Sequence, residues 1–501
     1  MSRTATDERS TGSLGDESVA VVGAGFGGLS AACYLADAGA DVTVYERLPR
    51  VGGVAGRIER AGYRLDTGPT WYLMPGVFER FFGDFGRSPE AFYDVQRLDP
   101  HYRVFWKDGD RADVPADRDG IRELFESYES GAGEALDRYL EKSAESYEVG
   151  MERFVYEDRS TFRDMLDLDV VRSGRGLPLL RSMDDHVARY VDHPKLRQLL
   201  QYTLVFLGGA PHNTPAIYNL MSHVDMERGV YYPTGGMASV VDGVADLAAA
   251  LGVDVRTGAE VDAVRPNGGD VAVEVAGERL TADRVVAAAP PAHVERDLLP
   301  GAGSDGSGWG EPTYAPSAFM LYLGVEGECP ELAHHTLVLP TDWDDHFRRI
   351  FDDPGWPEDP AYYLCVPSRT DPTVAPDDGE AVVVLVPVAP GLDDDPETRA
   401  AFRERVLSGV AEHTGTDLRG RIRVEEEACV SEFADTFNAP QGTALGLAHT
   451  LFQTGPMRPG RRAPDVDRVY YAGSYSNPGI GVPMALISGE HAAAAVRSDA
   501  R

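Results

Sequence analysis

Residues 19–22 are apolar, residues 23–28 are rich in glycine, and an alanine-rich stretch to residue 38 then places apolar positions at helical spacing. Gly39 stops that stretch, and Val42-Thr-Val-Tyr45 alternates with the period of a strand. This order of strand, turn, helix and strand predicts a βαβ unit. From about residue 98 to residue 220 the pattern turns mainly helical, with charged faces and isolated breakers. A second α/β stretch opens at Tyr231-Tyr-Pro-Thr-Gly-Gly236, runs as a helix to residue 251, and adds strands over 253–264, 271–275 and 284–291. Residues 318–325, 362–366 and 381–388 read as strands of another sheet, and 301–311 as a surface loop. Arg468-Val-Tyr-Tyr-Ala-Gly473 predicts one more buried strand, leading to a glycine and proline loop and a closing helix.

These pieces predict an α/β fold. A Rossmann-like domain is assembled from residues 19–97, 228–300 and 461–498, with a mainly helical region at 98–227 and a mixed-sheet domain at 301–460 inserted between them. Residues 1–18 are polar, lack the apolar core of a signal peptide, and read as a disordered tail. No stretch reaches the roughly 18 uninterrupted apolar residues of a spanning helix. The expected location is therefore the cytoplasm, or the inner face of the cell membrane as a peripheral protein.

Charge narrows the partners. The 501 residues carry 81 acidic and 47 basic side chains, a formal charge of −34, and the only lysines are Lys107, Lys142 and Lys195. Such a surface repels nucleic acid at low salt, so no nucleic acid partner is expected. It reads as halophilic, because self-repulsion of this size is tolerable when dense ions screen it. The cysteines Cys33, Cys329, Cys365 and Cys429 are scattered and read as ordinary core thiols. His334-His335 lacks accompanying ligand spacing and reads as a surface loop, so no metal is expected.

The glycine cluster carries chemistry. In Gly23-Ala-Gly25-Phe-Gly27-Gly28 the first glycine permits a tight strand-to-helix turn, the second lets a pyrophosphate approach the backbone, and the last lets helix and strand pack closely. The helix then turns its free N–H groups and positive dipole end to the phosphates. Glu46, at the end of the next strand, is placed to accept hydrogen bonds from ribose hydroxyls. A second glycine pair, Gly52-Gly53, follows closely enough to wrap the same dinucleotide, and no second GxGxxG exists for a nicotinamide cofactor. The cofactor expected is FAD.

Beyond the glycines, Val51-Gly-Gly-Val54, Tyr63-Arg-Leu-Asp66, Thr67-Gly-Pro-Thr70 and Trp71-Tyr-Leu-Met-Pro75 occur in one run. Tyr471-Ala-Gly473, Asn477-Pro-Gly-Ile-Gly-Val-Pro483 and Ser488-Gly-Glu490 close the chain. With Tyr232-Pro-Thr-Gly-Gly236 and Val255-Arg-Thr-Gly-Ala-Glu-Val261 between them, the chain resembles the bacterial and archaeal phytoene desaturases, carotenoid-modifying flavoproteins, over nearly its whole length. The resemblance implies that Val261 contacts the adenine end and that Gly473, Gly481 and Val482 line the flavin ring. It departs at Val54, where relatives commonly carry arginine; Arg57 is the nearest guanidinium and the candidate replacement.

The function the resemblance implies is FAD-dependent desaturation of a C40 precursor, phytoene or a later carotene, by hydride transfer from an allylic carbon. A carotenoid 3,4-desaturase or a carotenoid isomerase would share the fold, and a flavin amine oxidase more distantly. The partners expected are a long apolar polyene and, with no nicotinamide motif, a quinone or dioxygen as electron acceptor, with peripheral membrane association. The apolar residues 202–207 and 217–221 are candidates for core or for the wall of a lipid channel. No catalytic residue is legible.

Overall fold

The computed structural model describes residues 14–157, 181–299, 312–450 and 453–500. The apolar run at the start becomes strand β1 (Ser18–Val22), the alanine-rich stretch helix α1 (Phe26–Asp37), and the alternating segment strand β2 (Asp41–Glu46). They form part of a five-stranded parallel sheet ordered Val469–Tyr471, Arg284–Ala287, β1, β2 and Asp254–Thr257. Three separated segments of chain thus make one sheet. Parallel strands buried on both faces need continuous apolar runs, and Val19, Val21, Val44 and Val286 supply them.

The tail expectation needs correcting at its inner end. Leu14 is buried, its amide donates to the Ala38 carbonyl at 2.9 Å, and Ser18 already belongs to β1. Residues 1–13 lie outside the described residues, as does the loop expected at 301–311.

The second sheet has seven strands in the order Ile422–Ala428, Ser317–Glu326, Gly379–Val388, Tyr362–Cys365, His335–Leu339, Tyr102–Trp106 and Arg111–Val114. Its last two strands come from the stretch expected to be mainly helical. The helices of that stretch start at Arg118–Tyr128 and Ala132–Gly150.

Strand Ser317–Glu326 is buried along nine consecutive residues, which requires cover on both sides. Side chains alternate accordingly. Phe319, Leu321, Leu323 and Val325 pack with Phe402, Val406 and Val410 of helix Pro396–Thr414, whereas Ala318, Met320 and Tyr322 face the helical region. The next strand but one, Tyr362–Cys365, follows the same rule through the pairing of Tyr363 with Leu385, which puts Tyr363 on the second face and Tyr362 on the first.

Candidate functional site

Strand β1 ends where Gly23 turns the chain, and α1 begins at Gly25 with no side chain capping its first turn. A Cβ at Gly28 would overlap the Gly23 carbonyl oxygen, so helix and turn approach as they do only because that residue is glycine. Glu46 is buried and takes two backbone donors: the Ala24 amide at 2.7 Å and the Leu48 amide at 2.8 Å. Its carboxylate therefore holds the glycine turn against the end of β2. Gly52 has φ +104°, a conformation that strains any L residue, and its amide donates to the Ala24 carbonyl at 2.8 Å. The two glycine segments consequently face each other: a Cβ at Gly53 would lie 3.4 Å from the Gly25 Cα.

A cavity of about 760 Å³ runs from this cradle into the second half of the molecule. Gly23, Gly25, Glu46, Gly52, Gly53 and Val261 line it at one end. Gly473, Gly481 and Val482 also line it, where helix Val482–Asp499 starts without a side-chain cap. Two uncapped helix N-termini, a carboxylate and a glycine cradle match the donor and acceptor needs of a dinucleotide carrying an electron-rich ring.

Arg57 is placed elsewhere. It does not line the cavity; its guanidinium meets Asp242 at 2.9 Å and Glu59 at 3.1 Å on a partly exposed surface. The half-buried Arg50 lies nearer the glycine pair, donating to the Gly53 carbonyl at 2.9 Å.

The far part of the cavity is apolar. Phe206, Leu207, Ile217 and Met221 contribute from the helical region, and Ala318, Met320 and Leu385 from the large sheet. Of the two apolar segments left open between core and channel wall, these members face the cavity, whereas Tyr202 and Leu204 belong to the core.

The site also holds side chains the sequence did not single out. Arg458 is buried with no carboxylate beside it; it donates to the Leu447 carbonyl at 2.9 Å and the Ser474 carbonyl at 3.0 Å, tying two cavity-lining loops together. Burial pushes it down to about 10. His334-His335, expected on a surface loop, is instead buried at the start of a sheet strand. The His335 ring stacks on cavity-lining Trp71 with centroids 4.1 Å apart, and its Nδ1 lies 2.7 Å from the Tyr363 hydroxyl. His334 Nδ1 is engaged with Thr370 Oγ1 at 2.7 Å. Burial drives both imidazoles below the usual histidine range, His334 to about 3, and pushes the neighbouring Cys365 thiol up to about 12. Ligand atoms of the two imidazoles and the Cys365 sulfur lie within 4.8 Å of one another, a grouping with the composition of a metal site that the sequence spacing did not reveal.

With this geometry in place, the protein family described as flavin containing amine oxidoreductase matches residues 26–497. The chain belongs to this family. Within reach of the flavin oxidoreductases, the carotenoid 3,4-desaturase of Haloarcula japonica is 56% identical over 97% of this chain and 99% of its own length. The zeta-carotene-forming phytoene desaturase of Myxococcus xanthus is 33% identical over 94% and 92%. Among solved structures, a putrescine oxidase variant shares the fold with a TM-score of 0.61 at 19% identity, covering 96% of this chain and 99% of the other. Like other members of the family, the protein is an FAD-dependent oxidoreductase.

Proposed function

We propose that the protein desaturates a C40 carotenoid, and that the bond it acts on is a 3,4 bond near the end of an already conjugated chain rather than a saturated bond flanking the central triene of phytoene. The observation that carries this reading is the 56% identity, over nearly both full lengths, to a carotenoid 3,4-desaturase. The cavity supports it, since an apolar passage leads directly from a dinucleotide cradle and suits an unfunctionalised hydrocarbon.

In this reading Gly23, Gly25 and the first N–H groups of α1 hold the pyrophosphate, Glu46 the ribose, and Val261 the adenine end. Gly52, Gly53, Gly473 and the start of the final helix hold the ring, while Gly28 acts by letting α1 seat on the turn. When bound, FAD supplies the two-electron oxidant that accepts hydride from an allylic carbon. The chain's own work is to align the polyene, exclude water from the resulting cation and receive a proton. Phe206, Trp71 and Tyr363 line the cavity with aromatic rings, and ring faces attract positive charge.

Electrons are expected to leave to a quinone or dioxygen, with the protein resting on the membrane that dissolves its substrate. Among the described residues no helix is long and apolar enough to cross a membrane. Flotation with liposomes at molar salt tests this part: protein that stays wholly in the soluble fraction contradicts it. The main test is anaerobic. The purified yellow protein at molar salt is mixed with phytoene, then separately with an acyclic conjugated carotene. Bleaching of flavin and a red-shifted product with the second alone supports the 3,4 reading; bleaching with phytoene moves it to the earlier step. An unchanged product mass would indicate an isomerase, and peroxide released from amines an amine oxidase.

A further inference from the structure

We propose that Tyr363, backed by His335, accepts the proton that desaturation releases from the carbon next to the one losing hydride. The proposal rests on the desaturase reading above and assigns its missing acid–base chemistry.

The geometry is a chain of three groups entering the cavity wall. Thr70 Oγ1 lies 2.8 Å from the Tyr363 hydroxyl, and that hydroxyl lies 2.7 Å from His335 Nδ1. Thr70 and Tyr363 line the cavity, and His335 is fully buried behind them. The cavity-lining residues of the sheet beside it, Ala318, Met320 and Leu385, cannot take a proton, and the neighbouring Cys365 thiol, hydrogen-bonded to Tyr363, does not line the cavity. Register fixes the arrangement: Tyr363 pairs with Leu337 and Cys365 with His335, so the tyrosine and the histidine sit diagonally on one face.

Two carboxyls are engaged or turned away, and His449, which also lines the cavity, accepts from the Ile480 amide through Nε2 at 3.2 Å. Asp66 accepts from the Met237 amide at 2.7 Å and the Ala238 amide at 3.2 Å, capping a helix. Asp225 accepts from Tyr102 at 3.0 Å and does not line the cavity.

The step balances as follows. One carbon loses hydride, with its two electrons, to the oxidised flavin. The C–H bond on the adjacent carbon breaks, its electron pair becomes the new π bond, and its proton goes to the Tyr363 oxygen. In the same event Tyr363 passes its own proton to His335 Nδ1, because a tyrosine bearing two hydroxyl protons is too acidic to persist. Once product leaves, the proton passes back through Tyr363 to water entering the cavity, restoring the neutral ring. A weak base suffices, since a proton beside an allylic cation is strongly acidic. Burial, with His334 and His101 close by, keeps the imidazole neutral at rest and makes its protonated form short-lived. The relay requires His335 to carry its resting proton on Nε2, a position with no hydrogen-bond partner among the described residues.

Three measurements on the flavin-loaded protein test this. Nitrogen-15 NMR of histidine-labelled oxidised enzyme without substrate, assigned by subtraction of His335→Asn, should show Nδ1 of His335 unprotonated; a proton resting on Nδ1 overturns the relay. Single-turnover bleaching by the carotenoid should slow about 100-fold in Tyr363→Phe, with substrate affinity and flavin content unchanged. Wild-type bleaching should also be slower in deuterium oxide, and that solvent effect should vanish in Tyr363→Phe; a merely structural tyrosine would lower the rate and leave the solvent effect intact. Should Tyr363→Phe fail to fold, His335→Asn keeps an acceptor for the hydroxyl yet cannot be protonated, and is expected to show the same loss. Bleaching in either folded variant at the wild-type rate overturns the proposal alone, whereas a wild-type enzyme that no carotenoid bleaches overturns the desaturase reading with it.

Discussion

Gly27 and Gly473 meet backbone to backbone: a Cβ on Gly27 would stand 2.7 Å from both the Cα and the amide nitrogen of Gly473. One lies in the first turn of α1 and the other in the loop that lines the cavity beside the final helix. Their contact fixes how closely the start of α1 approaches that loop. Because the obstructing atoms are backbone, they cannot swing aside. Gly27→Ala is expected to cost about 1–3 kcal/mol by overpacking and to lower the flavin content of purified protein. Thermal unfolding and the visible spectrum check both effects, and an unchanged spectrum would contradict the stated role.

Glu46 is expected to matter through its backbone partners before any cofactor enters. Glu46→Ala strips the acceptors from the Ala24 and Leu48 amides. Buried donors left unpaired cost about 1–3 kcal/mol each. Glu46→Gln keeps one carbonyl oxygen. Flavin affinity measured by equilibrium dialysis should therefore fall in the order wild type, glutamine, alanine, with the largest step at alanine.

Arg57 should be dispensable for the cofactor. Its ion pairs with Asp242 and Glu59 are largely solvent-exposed, and such pairs contribute about 0–1 kcal/mol. Arg57→Ala is expected to retain full flavin content and to unfold within a few degrees of wild type. Loss of flavin would return the guanidinium to the site.

Asp225 gives stability a pH dependence. Burial raises its carboxyl from 3.8 to about 7, partly offset by hydrogen bonds from Tyr202 and Tyr102. Between those values the folded state holds a proton that the unfolded state has released, so the stability this group lends is present at low pH and is lost as pH rises toward 7. Relative to wild type, Asp225→Asn should gain up to about 1.4 kcal/mol per pH unit across that window and then level off. Denaturant melts at fixed molar salt between pH 4 and pH 8 would show it; a flat difference would mean the carboxyl is ionised throughout.

What could be read from the sequence was chemistry that is local in the chain. The turn at Gly23, the pair at Gly52-Gly53 and the strand ending in Glu46 lie within 31 positions of one another, and the cradle they form needs little else. The proton-handling group was illegible for the opposite reason. Thr70, His335 and Tyr363 meet only through sheet register and the return of the chain across the cavity. His334-His335 misled because two polar residues suggest solvent, yet hydroxyl partners and a stacked indole allow them inside. Strands Tyr102–Trp106 and Arg111–Val114 were hidden because Arg103 and Asp113 put charges on their outer face, where they pair across the hairpin at 2.6 Å.

Strand Ser317–Glu326 separates two environments with a single file of residues. Its Ala318 and Met320 line the cavity, and its odd-numbered positions after Ser317 meet the helix behind. Selection for a longer, shorter or bulkier polyene can therefore resize residues 318 and 320 while residues 319 and 321 go on holding the fold. That partition gives one scaffold a low-risk route to new members of a pigment series.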